Sequence, residues 1–152
     1  MKCWPHHYHV NVEAGGQDHT EISSPGLTPF VSAPPAEFDG PGDLWSPETL
    51  LVGAVADCFV LTFKAITATA KLRWTKIQCA GQGILDRADD GVRFTDVFLR
   101  VRLEVPAETD PERAHRLLEK AEKACLVGNS LRFRPVLTCE VVAAEAPQLL
   151  AS

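Results

Sequence analysis

The chain has 152 residues, 45% of them hydrophobic, with 20 acidic against 15 basic side chains and a formal net charge of −5. That is enough apolar surface for one domain with a core of its own, spanning 1–152. The acidic balance excludes the basic footprint by which nucleic acids and anionic membranes are bound.

The first residues, Met1 to His7, carry no apolar run of the signal-peptide kind, which points to a cytoplasmic protein. Tyr8 to Glu13 alternates and then meets Gly15-Gly16, the pattern of a strand and a turn, with Thr20 to Ser23 as its short partner. His7 and His9 share one strand face, but without paired cysteines or a helical His-x-x-x-His spacing they read as edge-strand histidines, and no metal site is expected. Residues 24–46 are dense in proline and glycine, so that stretch is loop with a short strand at Leu27 to Val31.

Ser46-Pro47-Glu48 opens a long helix. Ser46 can cap the free N–H groups, Pro47 needs no donor at the first position, and Glu48 complements the helix dipole. No stop appears before Lys71-Leu72-Arg73, which gives a helix of roughly 24 residues, about 36 Å. Leu50, Leu51, Val52, Val55, Phe59, Val60, Leu61, Phe63 and Ile66 make it apolar nearly all round, so burial on every side is expected. Glu48, Asp57 and Lys64 break its apolar runs, which argues against a membrane span.

Ile77 to Asp86 and Arg93 to Val105 form a hairpin turned by Asp90-Gly91, its second strand alternating buried valines and leucines with charged residues. Asp110-Pro111 starts a second helix, with Ala114, Leu117, Leu118, Ala121 and Cys125 on one face. Gly128-Asn129 ends or kinks it. Val136 to Val142 reads as a closing strand, and 143–152 as a loose tail. The expected class is α+β, one antiparallel sheet packed on a long buried central helix.

Five cysteines, Cys3, Cys58, Cys79, Cys125 and Cys139, form no C-x-x-C pair. With an ample core they need not be a disulfide framework; most read as small buried hydrophobes, one or two as redox-active. Cys58 lies mid-helix, where it gains nothing from the dipole and has Asp57 beside it, so core and reactive readings both stand. Cys125, at a helix C-terminal end that disfavours an anion, suits an attack on a partner sulfur better than a first attack on substrate. Glu48 and Cys58 are ten residues apart on one helix, about 15 Å, and can share a site only if Glu48 comes from a second subunit across a two-fold axis. The short basic run Arg132-Phe133-Arg134 reads as solvated, and Gly81-Gln82-Gly83 lacks the third glycine and the helix of a dinucleotide site, so no cofactor is expected.

The segment Ser46-Pro47-Glu48-Thr49-Leu50-Leu51, followed after six intervening residues by Cys58-Phe59, together with Cys125-Leu126-Val127-Gly128-Asn129-Ser130-Leu131, resembles the OsmC/Ohr family of thiol peroxidases. The resemblance runs from about Val10 to Val142. It implies an intertwined homodimer with its sites at the subunit interface, reducing organic hydroperoxides at the expense of an external thiol. Cys58 matches the peroxidatic cysteine, Cys125 the resolving cysteine, and Glu48 a carboxylate that orders the site. An apolar pocket near Phe59 and Phe63 would then favour organic peroxides.

The chain departs from that pattern. Family members of the hydroperoxide-resistance type carry arginine in a Gly-Gly-Arg-Asp turn; here the turn is Gly15-Gly16-Gln17-Asp18, and neutral Gln17 removes a charge-assisted hydrogen bond to sulfur. Asp57 stands in place of a small residue, and Leu126 in place of a proline. Arg100, Arg102, Arg132 and His19 are candidates to replace the missing charge. The alternative is a protein of the same fold that binds a small hydrophobic ligand or senses redox state with little turnover, and Gln17 is the feature that favours it.

Overall fold

The computed structural model describes residues 3–16 and 18–145. The chain divides into two compact units, one ending at Leu51 and the other starting at Val52.

In the first unit, strands β1 (Asn11–Ala14), β2 (Thr20–Ser23) and β3 (Phe30–Ser32) form an antiparallel meander. Val12 faces Ile22, and Ile22 faces Phe30. The β1 strand begins later than its alternation suggests, because only Asn11 onward finds partners on β2. The loop beyond β3 is tied down by a bridge from Ser32 to Trp45 and by the Ala33 N–H donating to the Trp45 carbonyl at 2.9 Å. Gly40 is obligatory there: a Cβ would lie 1.6 Å from the Pro34 carbonyl oxygen. This unit leaves Tyr8, Val12, Phe38 and Trp45 exposed.

Helix α1 (Pro47–Ala70) has the expected length. Ser46 Oγ accepts the Thr49 N–H at 3.1 Å, and Thr49 Oγ1 accepts the Ser46 N–H at 2.9 Å, a reciprocal cap in which threonine does the work usually given to glutamate. At the other end Lys71 takes a left-handed conformation (φ 54°) and the Leu72 N–H returns to the Thr67 carbonyl, which closes the helix.

The second unit holds β4 (Lys76–Ala88), β5 (Gly91–Val105), α2 (Pro111–Ala124) and β6 (Val136–Ala143), with sheet order β4-β5-β6. Gly91, at φ 120°, makes the hairpin turn between β4 and β5. Asp110 caps α2 by accepting the Glu112 N–H at 3.0 Å. The sheet is not wholly antiparallel as the sequence suggests: β6 runs parallel to β5, Val101 facing Cys139. The reason is the helix between them, since a strand–helix–strand crossover returns the chain in its original direction.

Val97, Leu99, Val101, Leu103 and Val105 of β5 build the core with Ala114, Leu118 and Ala121 of α2 and Val55, Phe59 and Phe63 of α1. Over β4 the helix comes close: a Cβ on Gly83 would meet Val52 at 2.6 Å and Phe94 at 2.7 Å. Burial of α1 is narrower than its composition suggests. Only Val55, Phe59, Phe63 and Thr67 are buried, while Leu61 remains 54% exposed, because the sheet and α2 offer a single face to pack against. By length and composition α1 is also apolar enough to cross a membrane, but that buried stripe is part of the core.

Candidate active site

Two thiols meet where α1 passes the end of α2. Cys58 lies beside the core stripe of α1, half-buried, one turn beyond Val55. Cys125 is the C-cap of α2; its backbone is extended there, and its N–H donates to the Glu122 carbonyl at 3.2 Å. That turn carries its side chain into the core, where it is 3% exposed. The Cys125 thiol donates to the Val55 carbonyl at 3.9 Å, and its Sγ accepts the Gly128 N–H at 3.4 Å. Burial pushes the Cys125 thiol up from 9.0 to about 11; the N–H groups of Gly128 and Val127 pull it partly back, and the neighbouring Cys58 adds to the rise. Cys125 thus keeps its proton at neutral pH, with Cys58 as its neighbouring thiol.

The other cysteines are differently placed. Cys79 and Cys139 face Val101 from its two sides, two strand spacings apart, about 10 Å and too far for a disulfide. Both are raised from 9.0 to about 11: Cys79 by burial and then by Cys139 and Cys125, Cys139 by burial and then by the Glu119 carboxylate. Both are partly buried and packed against the core. Cys3 is exposed in the first unit.

The remaining expected site residues divide. Glu48 occupies the first turn of α1, ten residues of helix before Cys58, and is not brought to that thiol along the helix; its Oε2 is buried with no hydrogen-bond partner among the described residues. Asp57 is exposed. Gln17 lies outside the described residues. Phe59 and Phe63 are fully buried, because their positions fall on the one stripe of α1 that meets the sheet. The apolar side chains left exposed near the thiols are Leu126, next to Cys125, and Leu61, one turn after Cys58.

The arginines considered as replacements for the missing charge are engaged elsewhere. Arg100 and Arg102 alternate with Val101 and therefore project from the opposite face of the sheet, where Arg100 bonds Gln82 and Arg102 pairs with Glu104 and Glu140. Arg132 pairs with Asp90 at 2.6 Å. His19 is exposed in the first unit.

The sequence reading missed a contact of Arg134, whose Nη2 reaches both carboxylate oxygens of Glu122 at 2.9 Å. It also missed a cavity of about 420 Å³ between α2 and β6, lined by His115, Glu119, Glu122, Lys123, Leu137 and Cys139. The helical spacing of His115, Glu119 and Lys123 was the available signal, but nothing in the sequence says which strand edge α2 lies beside. Among the described residues no group of three His, Cys, Asp or Glu side chains is arranged to hold a metal ion.

Residues 40–140, which include both helices and both thiols, match the family model described as OsmC-like protein. The chain belongs to the OsmC-like family. A similar protein is the uncharacterized protein YmaD of Bacillus subtilis, 26% identical over 140 residues that cover 89% of this chain and 93% of YmaD. Among solved structures, an OsmC-like protein of unknown function from Vibrio cholerae superposes with a TM-score of 0.83 at 16% identity, covering 90% of this chain and all of the other. An organic hydroperoxide resistance protein from Elizabethkingia anophelis gives 0.74 at 21%, covering 95% and 100%. The organic hydroperoxide resistance protein OhrB of Bacillus subtilis gives 0.65 at 20%, covering 90% and 98%. These likenesses establish the OsmC-like α+β fold of the chain.

Proposed function

We propose that this protein reduces organic hydroperoxides with Cys58 and Cys125 as its reacting pair, working as a cytoplasmic homodimer. The observation that carries the reading is the proximity of the two thiols, with Cys125 at the end of α2 packed against the turn of α1 that holds Val55 and Cys58. Cys58, the more accessible of the two, attacks as thiolate on the distal oxygen of ROOH. The O–O bond breaks, the alkoxide takes a proton and leaves as alcohol, and Cys58 becomes a sulfenic acid. Cys125 then displaces that oxygen as water and forms the disulfide, and an external dithiol restores both thiols by exchange. Exposed Leu61 and Leu126 flank the pair and suit a hydrocarbon tail better than hydrogen peroxide.

A second copy of the chain would cover the half-exposed face of α1 and the apolar side chains of the β1–β3 unit. Gln17, where an arginine is expected, favours a second reading in which the same pair senses peroxide with little turnover.

The test is to treat the reduced protein with one equivalent of cumene hydroperoxide and map its thiols by mass spectrometry. A rapid Cys58–Cys125 disulfide, lost in Cys58→Ser, is the expected result, with catalytic turnover under a dithiol separating enzyme from sensor. Thiols left free, or Cys3 oxidised first, would overturn both readings.

A further inference from the structure

Cys125 sits in a loop that is clasped at its base. Glu122 precedes it by one turn of α2, and Arg134 follows it on the way to β6. A single guanidinium nitrogen of Arg134 holds both oxygens of the Glu122 carboxylate, whose side chain is only 13% exposed. The same Glu122 supplies the carbonyl that accepts the Cys125 N–H. On the other side Pro135, next to Arg134, lies against Gly128, the residue whose N–H donates to the Cys125 sulfur. Arg134 therefore reaches Cys125 by two routes, through its backbone and through its Sγ.

We propose that Arg134 is a positioning residue for disulfide closure, holding Cys125 at Cys58 without taking part in the attack on peroxide. The inference rests on the reading of Cys58 and Cys125 as the reacting pair. In the closure step the Cys125 sulfur bonds to the Cys58 sulfur, the S–O bond of the sulfenic acid breaks, and the thiol proton leaves with that oxygen as water. A disulfide tolerates only a narrow range of Cα separation and dihedral angle, so closure is the step most sensitive to how the loop leaves α2. The first attack needs only Cys58 and the peroxide.

Arg134→Gln removes the charge while keeping a hydrogen-bonding side chain, and Glu122→Gln tests the same clasp from the other end with the backbone carbonyl intact. In rapid mixing with cumene hydroperoxide, both variants are expected to lose the Cys58 thiol as fast as the parent. Closure should slow by about tenfold to a hundredfold, the upper figure being what a misplacement of about 1 Å costs, and dimedone should trap Cys58 sulfenic acid that the parent does not accumulate. Arg134→Lys should restore part of the rate. Closure at the parental rate in the folded variants, or equal slowing of both steps, would overturn the proposal. Should one variant fail to fold, the other decides. Diamide in place of peroxide drives the same closure without a peroxidase step. A parent inert to peroxide whose diamide closure still depends on Arg134 would refute the peroxidase and leave the clasp standing.

Discussion

Alkylation of the reduced protein by iodoacetamide at pH 8 tests the asymmetry of the two thiols directly. The thiolate is the reacting species, so the rate follows its population. At a pKa of about 11 the Cys125 thiolate is roughly one part in a thousand at pH 8, against about one part in ten at 9.0, a difference of about a hundredfold. Its 3% exposure lowers the rate further, so a hundredfold is the least retardation expected relative to the same cysteine in guanidinium-unfolded protein. Cys79 and Cys139, also at about 11, should lag similarly. Mass spectrometry of each peptide against time gives four rates from one experiment, with exposed Cys3 as the internal standard for reagent activity. Alkylation of Cys125 within a few-fold of its unfolded rate would refute the reasoning. It would mean that the N–H groups of Gly128 and Val127 outweigh burial, and that Cys125 is an ionised thiol.

The same three thiols set a pH dependence of stability. Their folded pKa values are raised, so their contribution is fully present below about 9 and is lost as pH climbs toward 11. Denaturation midpoints at pH 8.5 and 10.5 should fall, and fall less in Cys79→Ala/Cys139→Ala. Gly83→Ala should destabilise by about 1–3 kcal/mol, since the new methyl meets Val52 and Phe94, and Val52→Ala in the same chain should recover part of the loss in a urea titration. Phe59→Ala should cost about 3–5 kcal/mol by the same assay through the cavity it leaves.

Local chemistry made much of this molecule legible in its sequence. Ser46 and Asp110 cap the helices as their positions suggest, and the alternation of Val97 to Val105 marks the buried face of β5. Both depend on neighbours within a turn or a strand. What escaped depends on partners far along the chain. Whether β6 pairs parallel or antiparallel is decided by the path of α2, not by the residues of Val136–Ala143. That Phe59 is sealed while Leu61 is open follows from which stripe of an all-apolar helix meets the sheet, and composition cannot choose the stripe. The Arg134–Glu122 contact was hidden for a third reason: Arg132-Phe133-Arg134 looks like an ordinary solvated run until the loop folds back on α2.

The crossover that joins β5 to β6 has a consequence for the protein while it is being made. Cys125 lies on that crossover, and its place in the core depends on α2 being docked and β6 being added beside β5. Synthesis runs from the N-terminus at a finite pace, so Cys58 leaves the ribosome well before the segment that will shelter it. On the proposed pairing, the thiol of α1 has no neighbour to close on during that interval. An oxidant met then can carry it past the sulfenic stage to products that no disulfide exchange reverses. On the proposed chemistry, the newborn chain is thus the form of this protein most easily damaged by peroxide.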